Sequence, residues 1–243
     1  MTTRADKFLV ERGYAASRAE AQAAIRAGNV WAGGILVGKS SQTIAADAVI
    51  TYEKSHPYVS RGALKLVAAL DRFGLSPSRS TCIDVGASTG GFTQALLERG
   101  AAKVYAVDVG HGQMRGALTS DPRVIMLEGV NARDLGVVHV PEEVDAIVVD
   151  VSFISLKLVL PAVLSLARSG AWLVVLVKPQ FEVGRENVGK GGIVKNRPVQ
   201  EKAVREIVDW LGAQRGWTVE GQMDSPVAGG DGNREFLVAA RKA

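Results

Sequence analysis

Apolar and polar positions along the chain follow one pattern near the N terminus and another afterwards. Segments 4–13 and 18–27 each place apolar residues at helical spacing and stop at a glycine, and Ser17 is a predicted N-cap for the second. Short apolar runs between residues 30 and 52 then predict strands joined by tight turns. Residues 1–54 therefore predict a small α+β module.

Beyond a predicted linker at 55–60, apolar runs alternate with amphipathic segments, which is typical of a parallel sheet covered by helices. His56 precedes a proline and is biased out of helix, which favours a boundary there. The predicted strands are 81–85, 103–108, 123–127, 145–150 and 171–178, and the predicted helices are 61–73 (capped by Ser60), 92–98, 111–118, 154–168 and 199–210. Segments 217–223 and 234–240 predict a closing hairpin. The domain at 61–243 is thus predicted to have an α/β fold.

A glycine loop follows the first strand of this sheet. Residues 81–92 give a buried strand carrying Asp84, a turn with three glycines between positions 86 and 91, and a helix start. The spacing G-x-x-x-G-G is neither the dinucleotide fingerprint nor a P-loop. Asp108 ends the next strand 24 positions after Asp84, where a carboxylate can bind a ribose. The combination favours a nucleoside-type cofactor; the alternative is an ordinary tight turn.

Composition narrows the class of protein. The chain has 243 residues, of which 47% are hydrophobic and 22% charged, as in soluble globular proteins, and its net charge of +4 permits an anionic partner. The single cysteine, Cys82, excludes an internal disulfide and is predicted to be a core residue, and three scattered histidines give no metal-ligand spacing. No signal peptide is visible and charges interrupt the apolar stretches. We therefore expect a cytoplasmic protein that uses no metal and no membrane.

Four charged residues are predicted to meet at one edge of the sheet. Lys65 lies in the helix that leads into the sheet, Asp150 and Lys178 close two buried strands, and Glu235 opens the last strand. A lysine that closes a buried strand beside a cleft favours a functional role over surface decoration. Asn131 follows another strand end, where contact with an adenine edge and ordinary loop polarity are equally good explanations.

The order of residues in the N-terminal module is fairly specific. It runs Arg4, Asp6, Phe8, Leu9, Gly13, Ser17, Arg18, Ala21, Ile25, Gly28 and Val30. This order resembles the S4 RNA-binding domain, although the segment 32–34 reads Ala-Gly-Gly instead of the usual Val-Asn-Gly. Up to residue 60 the module has seven basic and five acidic residues, so placement matters more than net charge. The resemblance favours RNA contact over a solvated helical surface for Arg4, Lys7, Arg12, Arg18 and Arg26.

Motifs across the second domain carry a further resemblance. They lie at 60–65, 84–92, 150–155, 178–182, 189–194 and 233–236. With the glycine loop, Lys65, Asp150, Lys178 and Glu235 resemble the Lys-Asp-Lys-Glu tetrad of FtsJ-like ribose 2'-O-methyltransferases. With the S4-like module in front, the chain resembles the TlyA family of bacterial rRNA methyltransferases, which also carry the name haemolysin. The resemblance implies a Rossmann-like methyltransferase sheet, ribosomal RNA within ribosomal subunits as the partner, and 2'-O-methylcytidine as the product.

The same resemblance implies which residues bind S-adenosylmethionine (SAM) and RNA. The expected SAM contacts are Asp84, Gly86, Ala87, Ser88, Thr89, Gly90, Gly91, Phe92, Asp108, Val109, Asn131 and Asp150. A basic, glycine-rich loop spans 180–197, and phosphate binding is a natural use for such a loop. The further RNA contacts expected are Arg61, Arg185, Lys190, Lys195 and Arg197.

Methyl transfer to a ribose needs an activated hydroxyl, because a neutral hydroxyl is a poor nucleophile. Lys178 is the predicted activating residue, as a neutral base or as a cation, with Asp150 orienting it and Lys65 and Glu235 positioning the ribose. The strand end at 150–153, Asp-Val-Ser-Phe, lacks the prolines expected of base-modifying methyltransferases, which favours ribose. Two alternatives are a ribosome-binding protein without turnover and membrane lysis, for which the sequence offers no clear amphipathic membrane helix.

Overall fold

A computed structural model of the chain describes residues 2–15, 17–53, 56–229 and 231–243. The chain divides into two compact units, Met1–Pro57 and Tyr58–Ala243, each with its own hydrophobic core. The boundary predicted at residues 54 and 55 lies outside the described residues.

Over its described residues, the N-terminal unit is a small α+β fold with two helices and two small sheets. Its elements are β1 (Thr2–Arg4), α1 (Ala5–Glu11), α2 (Arg18–Arg26), β2 (Val30–Ala32), β3 (Ile35–Leu36), β4 (Thr43–Ala45) and β5 (Ile50–Tyr52). β1 pairs with β4, and β2 lies between β3 and β5, all antiparallel. Ser17 Oγ accepts a hydrogen bond from the Glu20 N–H at 3.2 Å, which confirms the predicted N-cap. The sequence pattern does not predict the β1–β4 pair, because three-residue strands are too short to show alternation.

The C-terminal unit is a seven-stranded sheet with helices on both faces. Its helices are α3 (Gly62–Phe73), α4 (Gly91–Glu98), α5 (Gly116–Thr119), α6 (Leu156–Leu164), α7 (Pro179–Glu182) and α8 (Arg197–Gly212). Its strands are β6 (Thr81–Val85), β7 (Lys103–Asp108), β8 (Val124–Glu128), β9 (Val144–Val149), β10 (Ala167–Val177), β11 (Trp217–Asp224) and β12 (Phe236–Lys242). The strand order is β11-β12-β10-β9-β6-β7-β8, and β12 runs antiparallel to both of its neighbours. The predicted α/β fold is confirmed.

Two apolar cores cover the two faces of this sheet. On one face α6 and α8 bury Leu160 and Ile207, and on the other α3 and α4 bury Leu66 and Leu96. Successive residues of β9 belong to opposite cores because side chains alternate along a strand. A strand buried on both faces must be apolar throughout, which explains the continuous apolar run at this point of the sequence.

The register of the sheet brings several strand ends to one edge. β6 lies in parallel register with β7 and β9, so Gly86, Asp108 and Asp150 emerge at the same level. The terminal pair of the antiparallel β10–β12 ladder places Lys178 beside Glu235 at this edge. Because the strand order reverses around β6, this edge is where open α/β sheets bind ligands.

The structure corrects one predicted helix cap and the lengths of two predicted helices, and the other predicted helix ends shift by at most two residues. Ser60 is not the N-cap of α3, because the helix begins one residue later than predicted, with Arg61 at the N-cap position and no side-chain cap. The helix predicted at 111–118 is reduced to the single turn of α5, since glycines at positions 110 and 112 favour turns. The helix predicted at 154–168 stops with α6, because Ala167 already pairs with β9 as the start of β10.

Candidate active site

The glycine loop between β6 and α4 is folded tightly against its neighbours. Gly86 has φ +84°, and its N–H donates to the Val107 carbonyl at 2.9 Å. A Cβ at Gly86 would overlap the Asp150 carbonyl oxygen, and a Cβ at Gly91 would overlap the Ser60 hydroxyl. Because side chains do not fit at these two positions, the backbone itself forms the wall of the cleft.

Asp84 lies fully buried behind this loop. Thr93 Oγ1 donates a hydrogen bond to its Oδ2 at 2.6 Å and so ties β6 to α4, while Oδ1 has no hydrogen-bond partner among the described residues. Burial raises the pKa of Asp84 to about 7; the Asp150 carboxylate adds to this rise, and the Thr93 hydrogen bond opposes it. Asp84 is therefore a buried acid that titrates near neutral pH.

Asp108 holds together the loops on either side of the cleft. Its Oδ2 accepts a hydrogen bond from the Ser88 N–H at 2.8 Å, and its Oδ1 accepts one from the Gly110 N–H at 2.7 Å. Gln113 Oε1 accepts a hydrogen bond from the Ser88 hydroxyl at 3.1 Å, which adds a second tie between these loops. Each carboxylate oxygen has a further lone pair, so Asp108 keeps acceptor capacity for ribose hydroxyls.

Two adjoining cavities open at this edge and share Gly86, Ser88 and Asp150 as walls. The first cavity has a volume of about 410 Å³ and also contains Arg61 and Lys65. The second, of about 520 Å³, is the more apolar, and its walls include Val107, Asp108, Val109, Val130, Asn131 and Phe153. An extended ligand with one charged end and one flat apolar end matches this arrangement.

Two lysine–carboxylate pairs stand at the same edge. Lys65 forms an ion pair with Glu235, and the two side chains are 10% and 3% exposed. Lys178 Nζ lies 2.6 Å from Asp150 Oδ1 and donates a hydrogen bond to Ser152 Oγ at 2.9 Å. Lys65 and Asp150 line the same cavity, so both pairs border one ligand space. The structure brings together the four residues of the predicted tetrad, whose catalytic roles remain predictions.

Most of the other predicted SAM contacts line the two cavities, and the rest lie behind the glycine loop. The first cavity is lined by Ala87, Thr89, Gly91 and Phe92, and the second by Val109 and Asn131. Asn131 Oδ1 accepts a hydrogen bond from the Arg133 N–H at 3.1 Å, so its amide nitrogen is the group available to a ligand. Gly90 has φ +93°, and a Cβ there would overlap Leu118. Gly90 and Asp84 therefore support the loop from behind.

The ten basic residues predicted to contact RNA are all exposed. They are Arg4, Lys7, Arg12, Arg18, Arg26, Arg61, Arg185, Lys190, Lys195 and Arg197. Neighbours hold some of them: Arg12 donates to the Ala46 carbonyl at 2.8 Å, and Arg197 lies 2.8 Å from Glu201. Arg185 lines a shallow groove beside the rings of Phe153 and Phe181. Contact of these ten residues with RNA remains a prediction.

Three residues of the cleft region were not identified from the sequence. Thr93 could have been found as a polar residue on the apolar side of a predicted helix. Ser152 follows Asp150 by two positions, which is a weak signal for a residue that contacts Lys178. Phe153 has φ +65° and is 91% exposed, and nothing in the apolar pattern distinguishes it from a core residue.

Comparison with known proteins finds two matching families. A family model described as FtsJ-like methyltransferase matches residues 58–242, and one described as S4 domain matches residues 3–50. The chain is 43% identical over 240 residues to the 16S/23S rRNA (cytidine-2'-O)-methyltransferase TlyA of Mycobacterium tuberculosis, covering 98% of this chain and 89% of that protein. It is 38% identical over 239 residues to Hemolysin A of Brachyspira hyodysenteriae, covering 96% and 98%.

Solved structures give the same result for the fold. A Streptococcus thermophilus protein named as a candidate hemolysin superposes with a TM-score of 0.80 and 39% identity, over 100% of this chain and 89% of that one. A Bacillus cereus O-methyltransferase superposes with a TM-score of 0.52 over 78% and 84%, and at 14% identity it shows the fold alone. Within residues 2–15, 17–53, 56–229 and 231–243, no helix has both the length and the apolar character needed to cross a membrane.

Proposed function

Because the chain belongs to the FtsJ-like methyltransferase family, we propose that it transfers a methyl group from SAM to the ribose 2'-hydroxyl of a cytidine in ribosomal RNA. The observation that carries this proposal is the pair of lysine–carboxylate contacts beside the glycine loop. The substrate would be RNA within ribosomal subunits, and the place of action the cytoplasm. Residues 1–54 would serve as the RNA-binding domain and residues 61–243 as the catalytic domain.

The cleft fits SAM in shape and in charge. Gly86 and Gly91 leave the loop backbone open to close approach, and Asp108 and Asn131 border the apolar cavity where an adenosine would lie. The buried Asp84, whose pKa is raised to about 7 by burial, lies behind the loop, and a cationic ligand there would favour its ionised form. When bound, SAM supplies an electrophilic methyl group on a sulfonium ion.

Lys178 is the residue proposed to contact the acceptor hydroxyl. Asp150 at 2.6 Å and the Ser152 hydroxyl at 2.9 Å fix the position of its Nζ. A fixed amine can accept the hydroxyl proton or, as a cation, favour negative charge on the oxygen. Lys178→Arg separates these roles, because arginine stays protonated and cannot accept a proton. Activity retained in this variant indicates that Lys178 acts as a cation.

Lys65 and Glu235 are proposed to hold the ribose. Their ion pair is almost completely buried, so neither side chain is free to swing into solvent. Alignment of a hydroxyl for in-line attack can lower a barrier by about 7 to 11 kcal/mol in favourable cases. A rigid buried pair beside the glycine loop is suited to this positioning role.

Transfer of tritiated methyl groups from SAM to purified small and large ribosomal subunits tests the proposed function. We expect wild-type protein to label rRNA, and digestion of the product to nucleosides to release 2'-O-methylcytidine. A ribosome-binding protein without turnover predicts binding and no label. Release of dye from protein-free liposomes at physiological salt would instead assign a lytic activity, matching the name of some relatives.

A further inference from the structure

The N-terminal unit contains a carboxylate that is fully buried beneath two surface arginines. Asp6 Oδ1 and Oδ2 accept hydrogen bonds from Arg4 Nε and Nη2 at 3.1 and 3.0 Å, and Oδ2 also accepts one from Arg18 Nη2 at 2.9 Å. The Asp6 side chain has no exposed surface, whereas those of Arg4 and Arg18 are 49% and 61% exposed. The anion is therefore covered by the cations, which remain accessible to a ligand.

Further contacts hold the Asp6 carboxylate in one orientation. The Lys7 N–H donates to Oδ1 at 2.9 Å, and Gln22 Nε2 donates to Oδ2 at 3.0 Å. Hydrogen bonds, first from Arg4 and then from Arg18 and Gln22, hold the pKa of Asp6 well below its usual range. Asp6 is thus ionised at neutral pH, and with its two arginines it leaves the cluster one net positive charge.

Both guanidinium groups keep donors for a ligand. Arginine has five N–H donors in a planar fork; Arg4 uses its Nε and one Nη2 hydrogen on Asp6, and Arg18 uses one Nη2 hydrogen. Since both groups bind the same carboxylate oxygen, they are fixed side by side at the ends of β1 and α2. Two adjacent forks of this kind match the several oxygens of a phosphate group.

We propose that Arg4 and Arg18 form a clamp for one backbone phosphate of RNA, and that Asp6 is the positioning residue of this clamp. The proposal rests on the RNA-binding function proposed above for the N-terminal unit. The stability of the N-terminal unit alone would not explain the buried charge of Asp6, because replacing a buried ion pair with apolar residues is often neutral or stabilising. Orientation of exposed cations is a task that an apolar residue cannot perform.

Two substitutions on α1 separate positioning from simple charge. Asp6→Asn and Glu11→Gln each remove one negative charge from this helix, so long-range attraction predicts tighter RNA binding for both. Glu11 is exposed and pairs with Lys7 at 3.4 Å, not with the clamp, and serves as the matched control. The clamp predicts that Asp6→Asn weakens binding of the full chain to purified ribosomal subunits about tenfold, with a shallower salt dependence, while Glu11→Gln does not weaken it.

Arg18→Lys provides an independent measurement if circular dichroism shows that Asp6→Asn unfolds the unit. This variant keeps the charge at an exposed position and loses the planar fork. The clamp therefore predicts weaker RNA binding, whereas simple charge attraction predicts no weakening. In an Arg4→Gln/Arg18→Gln background, Asp6→Asn should cause no further loss.

Three results would overturn the proposal. They are binding by folded Asp6→Asn as tight as by Glu11→Gln, wild-type affinity in Arg18→Lys, and a further loss from Asp6→Asn in the double-glutamine background. Wild-type protein is assayed in parallel for subunit binding and methyl transfer. If the wild-type protein does not bind the subunits, the RNA-binding function is refuted together with the clamp. If the wild-type protein transfers methyl groups and both Asp6→Asn and Arg18→Lys bind tightly, the clamp alone is refuted.

Discussion

The two units of this protein differ in which members of their buried ion pairs are enclosed. In the larger unit both members of two pairs are largely enclosed: Lys65 with Glu235, and Lys178 with Asp150. In the smaller unit Asp6 is enclosed, and its cationic partners remain at the surface. One arrangement gives neutral pairs inside a cleft, and the other gives excess positive charge outside.

This difference matches two kinds of ligand. Enclosed, balanced pairs are screened little by salt and can act on a single hydroxyl group held beside them. Exposed arginines can bind a polyanion such as RNA. Their contribution to affinity falls with rising salt, because the release of counterions from the polyanion then gains less free energy. We therefore expect rising salt to weaken RNA engagement by the protein far more than it slows methyl transfer within the bound complex.

The largest expected effect breaks the enclosed side of the comparison. Lys178→Ala should lower kcat for methyl transfer by about 1,000-fold or more, because the acceptor hydroxyl loses its partner. SAM affinity, measured by calorimetry, should stay close to wild type. Lys202→Ala, at an exposed position on α8, is the control and should leave both quantities unchanged. Loss of SAM binding in Lys178→Ala would instead place this lysine in the cofactor site.

A smaller effect tests the wall of the same cleft. Gly86→Ala should lower SAM affinity about tenfold or more, since a Cβ would overlap the Asp150 carbonyl and φ is +84°. Gly212→Ala is the matched control, because it lies in α8 with open space around its Cβ position and should leave SAM affinity unchanged. Equal SAM affinities in the two variants would show that the loop backbone does not form the SAM site.

The buried acid behind the loop predicts a pH-dependent difference in stability. The pKa of Asp84 is about 7 in the folded chain, chiefly through burial, and about 3.9 when unfolded, so its ionisation opposes folding increasingly as pH rises from about 4 to 7. Asp84→Asn removes this effect, which is of the order of 4 kcal/mol at pH 8 and near zero at pH 4. Urea unfolding should show the stability of Asp84→Asn relative to wild type increasing over this range. Asp209→Asn, an exposed control on α8, should show no such trend.

The smallest effect concerns an ion pair that belongs to neither site. Arg99 and Asp71 are joined at 2.6 Å on the surface of the larger unit, with side chains 38% and 58% exposed. Arg99→Ala should lower the free energy of unfolding by less than about 1 kcal/mol, because exposed pairs gain little over solvation. A loss of several kcal/mol in urea unfolding would show that an exposed ion pair of this protein contributes as much to the free energy of unfolding as a buried one.

The sheet edge was the most predictable part of the site. Continuous apolar runs identify strands buried on both faces, and the polar residue that ends each run must lie at the same edge as the others in a parallel sheet. This reasoning places Asp108, Asp150 and Lys178 together from sequence alone, and the register confirms it. Glu235 follows the same logic, because an antiparallel strand begins where its parallel neighbours end.

The pairings within the site were less predictable. Lys65 and Glu235 lie 170 positions apart, and neither the helix nor the strand that carries them determines which lysine meets which carboxylate. Only the packing of α3 against the sheet decides this. Asp6 is a similar case, since helical spacing explains its position on α1 but not its burial beneath arginines from two other elements. Strand pairs as short as β1–β4 also cannot be predicted from the periodicity of apolar residues.

The position of β12 has a consequence for the order in which the enzyme matures. This strand follows β11 in the sequence, yet it is inserted between β10 and β11, and Glu235, the residue just before it, pairs with Lys65. During synthesis the glycine loop and its neighbouring strands leave the ribosome long before Lys65 can meet its carboxylate. A nascent chain can therefore fold this part of the cleft early, whereas the Lys65–Glu235 pair forms only after the segment that leads into β12 has been made.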